Sequence, residues 1–169
     1  MRQRGVTLAM CMALCSGSAA AETLPQPEGQ VLLTITGAIE STNHDGSAEF
    51  DLAMLRQIGV TAFETATIWN DGRQRFEGVT LAALLAELGV RDGTLNAQAV
   101  NNYSIEIPVD EAVPGGPLIA WSRNGKSMSL RDKGPLWLVY PYDTDPAYQS
   151  EVTFARSVWQ LNRIDVQRP

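Results

Sequence analysis

Three short stretches set aromatic rings beside amide, carboxylate, hydroxyl or guanidinium groups: Trp69-Asn70-Asp71, Asn101-Asn102-Tyr103 and Arg156-Ser157-Val158-Trp159. Each sits where a loop pattern meets a strand pattern, and binding groups are often held at such places by a rigid scaffold. Arg131, Tyr142 and Asp143 flank a further apolar run. Brought together, these residues would form a pocket with flat aromatic walls, hydrogen-bonding edges and one or two guanidinium groups. Such walls suit a flat heteroaromatic ligand, or one carrying an anionic tail. The same residues have plainer uses, since a tryptophan fills core volume and an arginine at the surface pairs with a carboxylate. Residue type alone leaves both uses open.

Composition removes several chemistries. His44 is the one histidine, and Asn43-His44-Asp45-Gly46 is a turn pattern. The two cysteines, Cys11 and Cys15, lie within the first 21 residues. A zinc or iron site of the usual kind has no ligand set here. Cys–His or Ser–His catalysis would have only His44 as its base. There is no carboxylate pair at a readable spacing, no phosphate-cradling glycine loop and no nucleophile elbow.

Residues 1–21 predict a secretory signal peptide: Arg2 and Arg4, an apolar run from Val6 to Leu14, then Ala19-Ala20-Ala21 before a mature start at Glu22. The run is too short for a permanent span, which needs roughly 20 residues. Residues 22–169 are expected to form one domain. Export would remove both cysteines and two basic residues. That leaves 11 of the 13 Lys+Arg against 19 Asp+Glu, a net charge of −8 in place of −6. An acidic exported domain is a poor match for nucleic acid or anionic lipid.

The elements that must position the candidate site are mostly strands. The central one is LWLVY, residues 136–140, an aromatic and β-branched run opened by Gly134-Pro135 and ended by Pro141. Strands are also predicted over 31–39, 61–69, 74–76, 96–100, 103–108 and 118–122. Asn70-Asp71-Gly72 and Asn124-Gly125 are predicted as turns. A helix starts at Asp51 and stops at Gly59. Another runs from Thr80 to Gly89 with leucines at 81, 84, 85 and 88 on one face. A short helical turn is expected over 109–112, and residues 154–166 are expected to be a loop entering a final strand. The predicted class is α+β, mostly mixed sheet, barrel-like, with short helices.

Four segments carry a resemblance: FEGVTLAALLAELGV from Phe76, AVNNYSIEIP from Ala99, GPLWLVYPYD from Gly134 and RSVWQLNRIDV from Arg156. In this order they resemble the molybdopterin-binding oxidoreductase domain of the sulfite oxidase superfamily. Redox-active members hold molybdenum through a cysteine thiolate in the loop before the FEGVTL-like segment. Here that loop reads TATIWNDG, residues 65–72. A thiolate is a soft ligand for which Trp, Asn and Asp are no substitute. The chain is therefore similar to small periplasmic members that bind pterins without metal and signal to the periplasmic part of a membrane-bound cyclic-di-GMP cyclase or phosphodiesterase. The resemblance implies a pterin site lined by Trp69, Asn70, Asp71, Tyr103, Arg131, Arg156, Ser157 and Trp159. Asp71 or Asp143 would accept from the 2-amino and N3 edge, and Arg156 with Ser157 would hold side-chain oxygens. A molybdopterin-dependent oxidoreductase, or an accessory subunit of one, is the alternative. A third expectation is an interaction module with no ligand, its loop aromatics contacting a protein.

Overall fold

The computed structural model describes residues 23–169, so the signal-peptide expectation for residues 1–21 falls outside the described residues. Residues 136–140 are buried throughout, and their middle forms a three-residue strand, Trp137–Val139. It is the ninth of ten strands. In chain order the elements are β1 (Leu33–Gly37), β2 (Ala48–Phe50), α1 (Leu52–Ile58), β3 (Thr61–Thr67), β4 (Asn70–Thr80), α2 (Leu81–Glu87), β5 (Thr94–Ala99), β6 (Ser104–Pro108), β7 (Leu118–Arg123), β8 (Lys126–Ser127), β9 (Trp137–Val139), α3 (Glu151–Arg156) and β10 (Leu161–Gln167). Short 3-10 turns occur at Val109–Glu111, Leu130–Asp132 and Pro146–Tyr148.

The strands form two five-stranded sheets. One has the order β2-β1-β10-β5-β6, with β1 and β10 parallel and its other pairs antiparallel. The second has the order β3-β4-β7-β8, with β9 added on β7. Mixed sheets with few short helices make this an α+β fold. The sheets do not close, so the barrel-like expectation is corrected to two open sheets. β9 links them. On one side Trp137, Leu138 and Val139 pair with Ala120, Ile119 and Leu118 of β7. On the other, Leu138 N donates to Val158 O at 2.9 Å, and Leu161 N donates to Leu136 O at 3.0 Å. Both sheets and the leucine face of α2 share one apolar core.

Several sequence signals map directly onto structure. Thr80 caps α2, its hydroxyl accepting from Ala83 N, and Gly89 follows at φ +70°, where a side chain is disfavoured. Asn124 and Gly125 both have positive φ, as a primed hairpin turn between β7 and β8 requires. The hairpin at residue 70 differs from expectation. The turn is Ile68-Trp69, Asn70 already pairs with Thr67, and Asp71-Gly72 are the extra residues of a bulge. The bulge lets two residues oppose none on β3, which shifts the turn two positions earlier. The larger correction is α3, placed where a loop was expected. Ser150 caps it by accepting from Thr153 N. At six residues it is too short to announce itself by periodicity.

Asp51 illustrates how the leader segment is tied down. Its buried carboxylate accepts from Met54 N at 2.9 Å as the cap of α1, and from Gly29 N at 2.7 Å and Glu28 N at 3.0 Å. These donors, Met54 N first, hold its pKa below the usual carboxylate value. A lowered folded-state pKa means the stabilisation is complete above about pH 4 and fades as pH falls through the folded value. Asp51→Ala is expected to cost about 2–3 kcal/mol in urea unfolding at neutral pH, with the difference from wild type shrinking as the pH is lowered below 4.

Candidate functional site

The α3 correction matters because α3 forms one wall of an aromatic-lined cavity. The cavity has a volume of about 240 Å³ and lies where β5 ends, β6 starts and the chain enters β10. Trp69, Tyr103, Ser157 and Trp159 line it, together with Ala99, Asn101, Phe154, Ala155 and Val158. Four of the expected site residues are thus brought together.

Trp69 is the centre of the aromatic wall. It is half-buried, and its ring meets Trp159 at 5.5 Å, Trp137 at 5.7 Å, Phe154 at 5.9 Å and Tyr142 at 6.3 Å. All four contacts are edge-on, the arrangement that ring quadrupoles favour. It leaves Trp69 held by its neighbours while part of it faces the cavity. Tyr103, at 44 % exposure, also lines the cavity, and its hydroxyl donates to Ala155 O of α3 at 2.8 Å.

Ser157 lines the cavity, but its hydroxyl is occupied. Its Oγ donates to Thr153 O at 2.7 Å, which leaves it as acceptor for the Tyr142 hydroxyl at 2.5 Å. Burial pushes the Tyr142 phenol up to about 12, and its hydrogen bond with Ser157 works the other way. This pair anchors the end of α3 to the segment leaving β9.

The remaining expected residues stand outside the wall. Arg156 donates Nε–H to Glu106 O at 3.1 Å and pairs through Nη1 with Glu111, whose other oxygen accepts from the Tyr140 hydroxyl at 2.8 Å. Arg156 fixes α3 to the Val109–Glu111 turn. Asp143 accepts from Ala66 N at 2.9 Å and pairs with Arg73 at 3.2 Å, closing the exposed edge of β3. Asp71 is exposed in the bulge, and Arg131 is exposed in the Leu130–Asp132 turn. Asn70 sits behind Trp69, with Oδ1 accepting from Arg123 Nη1 at 2.6 Å. Sequence reasoning missed the Phe154 wall, for which Ser150-x-x-Thr153 was the available signal. It also missed Lys133, whose Nζ lies 5.3 Å from the Trp159 ring centre.

A ligand here meets flat rings, few free side-chain hydrogen-bonding groups and limited space. Ligand cavities for drug-sized molecules run to roughly 300–1,000 Å³, so this one suits a single bicyclic ring system. Residues 65–72, TATIWNDG, include no cysteine, and Cys11 and Cys15 lie outside the described residues. Among the described residues no cluster of three or more His, Cys, Asp or Glu side chains could hold a metal ion. The rings that line the cavity suit a flat bicyclic system, and the described residues include no cysteine.

Two open sheets with an aromatic cavity at their shared end define a cofactor-cradling α+β domain. The sequence matches the oxidoreductase molybdopterin-binding domain over residues 49–168, and the chain belongs to that family. The fold is similar to that of the sulfane dehydrogenase SoxCD from Paracoccus pantotrophus, with a TM-score of 0.61 and 20% identity. That similarity covers 81% of this chain and 38% of the SoxCD chain, so the chain spans well under half of that protein. No curated relative matches the sequence.

The Tyr142 phenol gives a direct check on how the wall is held. Its pKa is raised on folding, so its contribution is complete below about pH 10 and is lost as pH climbs towards 12. Tyr142→Phe is expected to lower stability by about 1 kcal/mol at pH 8. Between pH 10 and 12 its melting temperature should fall less steeply than that of wild type in parallel thermal melts.

Proposed function

We propose that this chain binds a free pterin in the cavity between Trp69, Trp159 and Tyr103, without molybdenum. In this reading it works in the periplasm, after removal of residues 1–21, as a ligand sensor. Its partner is the periplasmic part of a membrane-bound cyclic-di-GMP cyclase or phosphodiesterase. The observation that carries the pterin reading is the wall itself: a chain of a molybdopterin-binding family has a ring-sized aromatic cavity, and its residues 65–72 carry no cysteine. A bicyclic heteroaromatic ring gains stacking and burial there with no need of a metal. The sensor role and its partner rest on the resemblance to small pterin-binding members of the superfamily.

Membership of an oxidoreductase family favours a second reading, in which the chain is a molybdopterin-dependent enzyme or its accessory subunit. Stoichiometric molybdenum together with oxo-transfer turnover in protein from molybdate-replete cells would establish that reading.

Calorimetry and tryptophan fluorescence with oxidised and reduced pterins test the first. Saturable binding with quenching is expected, because Trp69 and Trp159 line the cavity. Trp159→Ala should weaken binding by roughly tenfold or more, the usual worth of one stacking partner. Arg131→Ala, outside the wall, should leave it unchanged. Absence of binding at millimolar pterin would end the proposal.

A further inference from the structure

The two sheets end in four edge strands, β2 and β6 in one, β3 and β8 in the other. An edge offers unpaired N–H and C=O groups to any strand that approaches, and folds usually block it. Three of these edges are blocked or very short. At β2 the Asn43 side chain takes both main-chain groups of Glu49, accepting from its N at 2.8 Å and donating to its O at 2.9 Å. At β6, Arg156 Nε–H covers Glu106 O at 3.1 Å, and Pro108 ends the strand. β8 has two residues.

β3 is blocked along half its length. Asp143 holds Ala66 N–H at 2.9 Å, and Arg73 Nη2 donates to Glu64 O at 2.9 Å. The even-numbered residues of β3 therefore turn their main-chain groups away from β4. The β4 side agrees, since Arg75, opposite Glu64, bonds through both its N and its O to Asn124 on its far side. Strand alternation points Ala62 outward in the same way. Among the described residues no loop or side chain bonds to Ala62 N, Ala62 O or Glu64 N. Val60, just before the strand, is 59% exposed, and Thr61 and Ala62 are exposed as well. No ion pair among the described residues includes Glu64.

We propose that this open half-edge docks a second copy of the chain, β3 pairing antiparallel with β3 across a two-fold axis beside Ala62. The stretch is complementary to itself. Ala62 N–H of each copy meets Ala62 O of the other, and Glu64 N–H meets the chain at Val60. The small Ala62 side chains sit at the axis. Val60 of one copy lies against the methylene stem of Glu64 of the other, whose carboxylate still reaches water. Charge selects this register. An axis at Glu64 would oppose two carboxylates and would need Ala66 N–H, which Asp143 already holds. An axis at Ala62 keeps the two Glu64 side chains four residues apart along the strand, about 13 Å. That exceeds the screening length of about 8 Å at physiological salt. Pairing over about five residues a side is a small contact, so the pair is a weak one. The inference is independent of the pterin reading.

Sedimentation velocity of the purified chain tests this, from about 1 μM to about 1 mM at physiological salt, the range in which a small interface fills. Wild type is expected to pass from monomer to dimer as concentration rises, with hydrogen exchange at the Ala62 amide slowing in step. Ala62→Pro removes the N–H at the axis, and proline is tolerated where an edge-strand N–H faces solvent. It should weaken association by about tenfold or more, since two symmetric bonds are lost. Val60→Lys should weaken it as well, by placing a charge on the open edge, and it decides the question if the proline variant does not fold. Ile68→Lys, at the hairpin tip and 63% exposed in the wild type, should leave association unchanged. A monomer at every concentration overturns the proposal and leaves the edge to a strand of another protein. A dimer that survives in either folded edge variant, or that Ile68→Lys removes, overturns it too, because the copies then meet elsewhere.

Discussion

The site depends on β9 being paired along both edges. Three residues, Trp137 to Val139, bond to β7 on one side and to the chain entering β10 on the other. Pairing on both flanks fixes the register, because a shift by one residue would exchange the two buried faces on which Trp137, Leu138 and Val139 pack. Trp137 and Trp159 face each other across that second edge. Trp69, at the tip of the β3–β4 hairpin, then packs against both. One short strand thus brings together rings from three distant parts of the chain. The cavity is the space they leave beside Tyr103 and α3.

Most side-chain polar groups close to the cavity are already used by the fold. The hydroxyls of Ser157 and Tyr103 hold α3, and Arg156 is spent on Glu111 and Glu106. What remains for a ligand is ring surface, and stacking tolerates many flat heterocycles.

Local pattern made much of the fold readable. The leucines of α2 repeat at helical spacing, Asn124-Gly125 demands a primed turn, and residues 136–140 are too apolar for any place but the core. Trp69, Tyr103, Ser157 and Trp159, which line one cavity, could be grouped beforehand because aromatic and polar types stand together at strand ends. What could not be read was partner choice over distance. Arg156 meets Glu111, 45 residues away, and Asp143 meets Ala66, 77 residues away. Nothing in either local sequence distinguishes a structural ion pair from a ligand clamp. α3 escaped for a different reason: its six residues make under two turns, too few for an apolar stripe to show.

The central claim is that this cavity grips an organic ring and not a metal centre. Native mass spectrometry of the protein isolated from its producing cell tests it most directly. The account expects the polypeptide mass with or without one pterin, and no molybdenum isotope pattern. A bound species carrying that isotope pattern would contradict it.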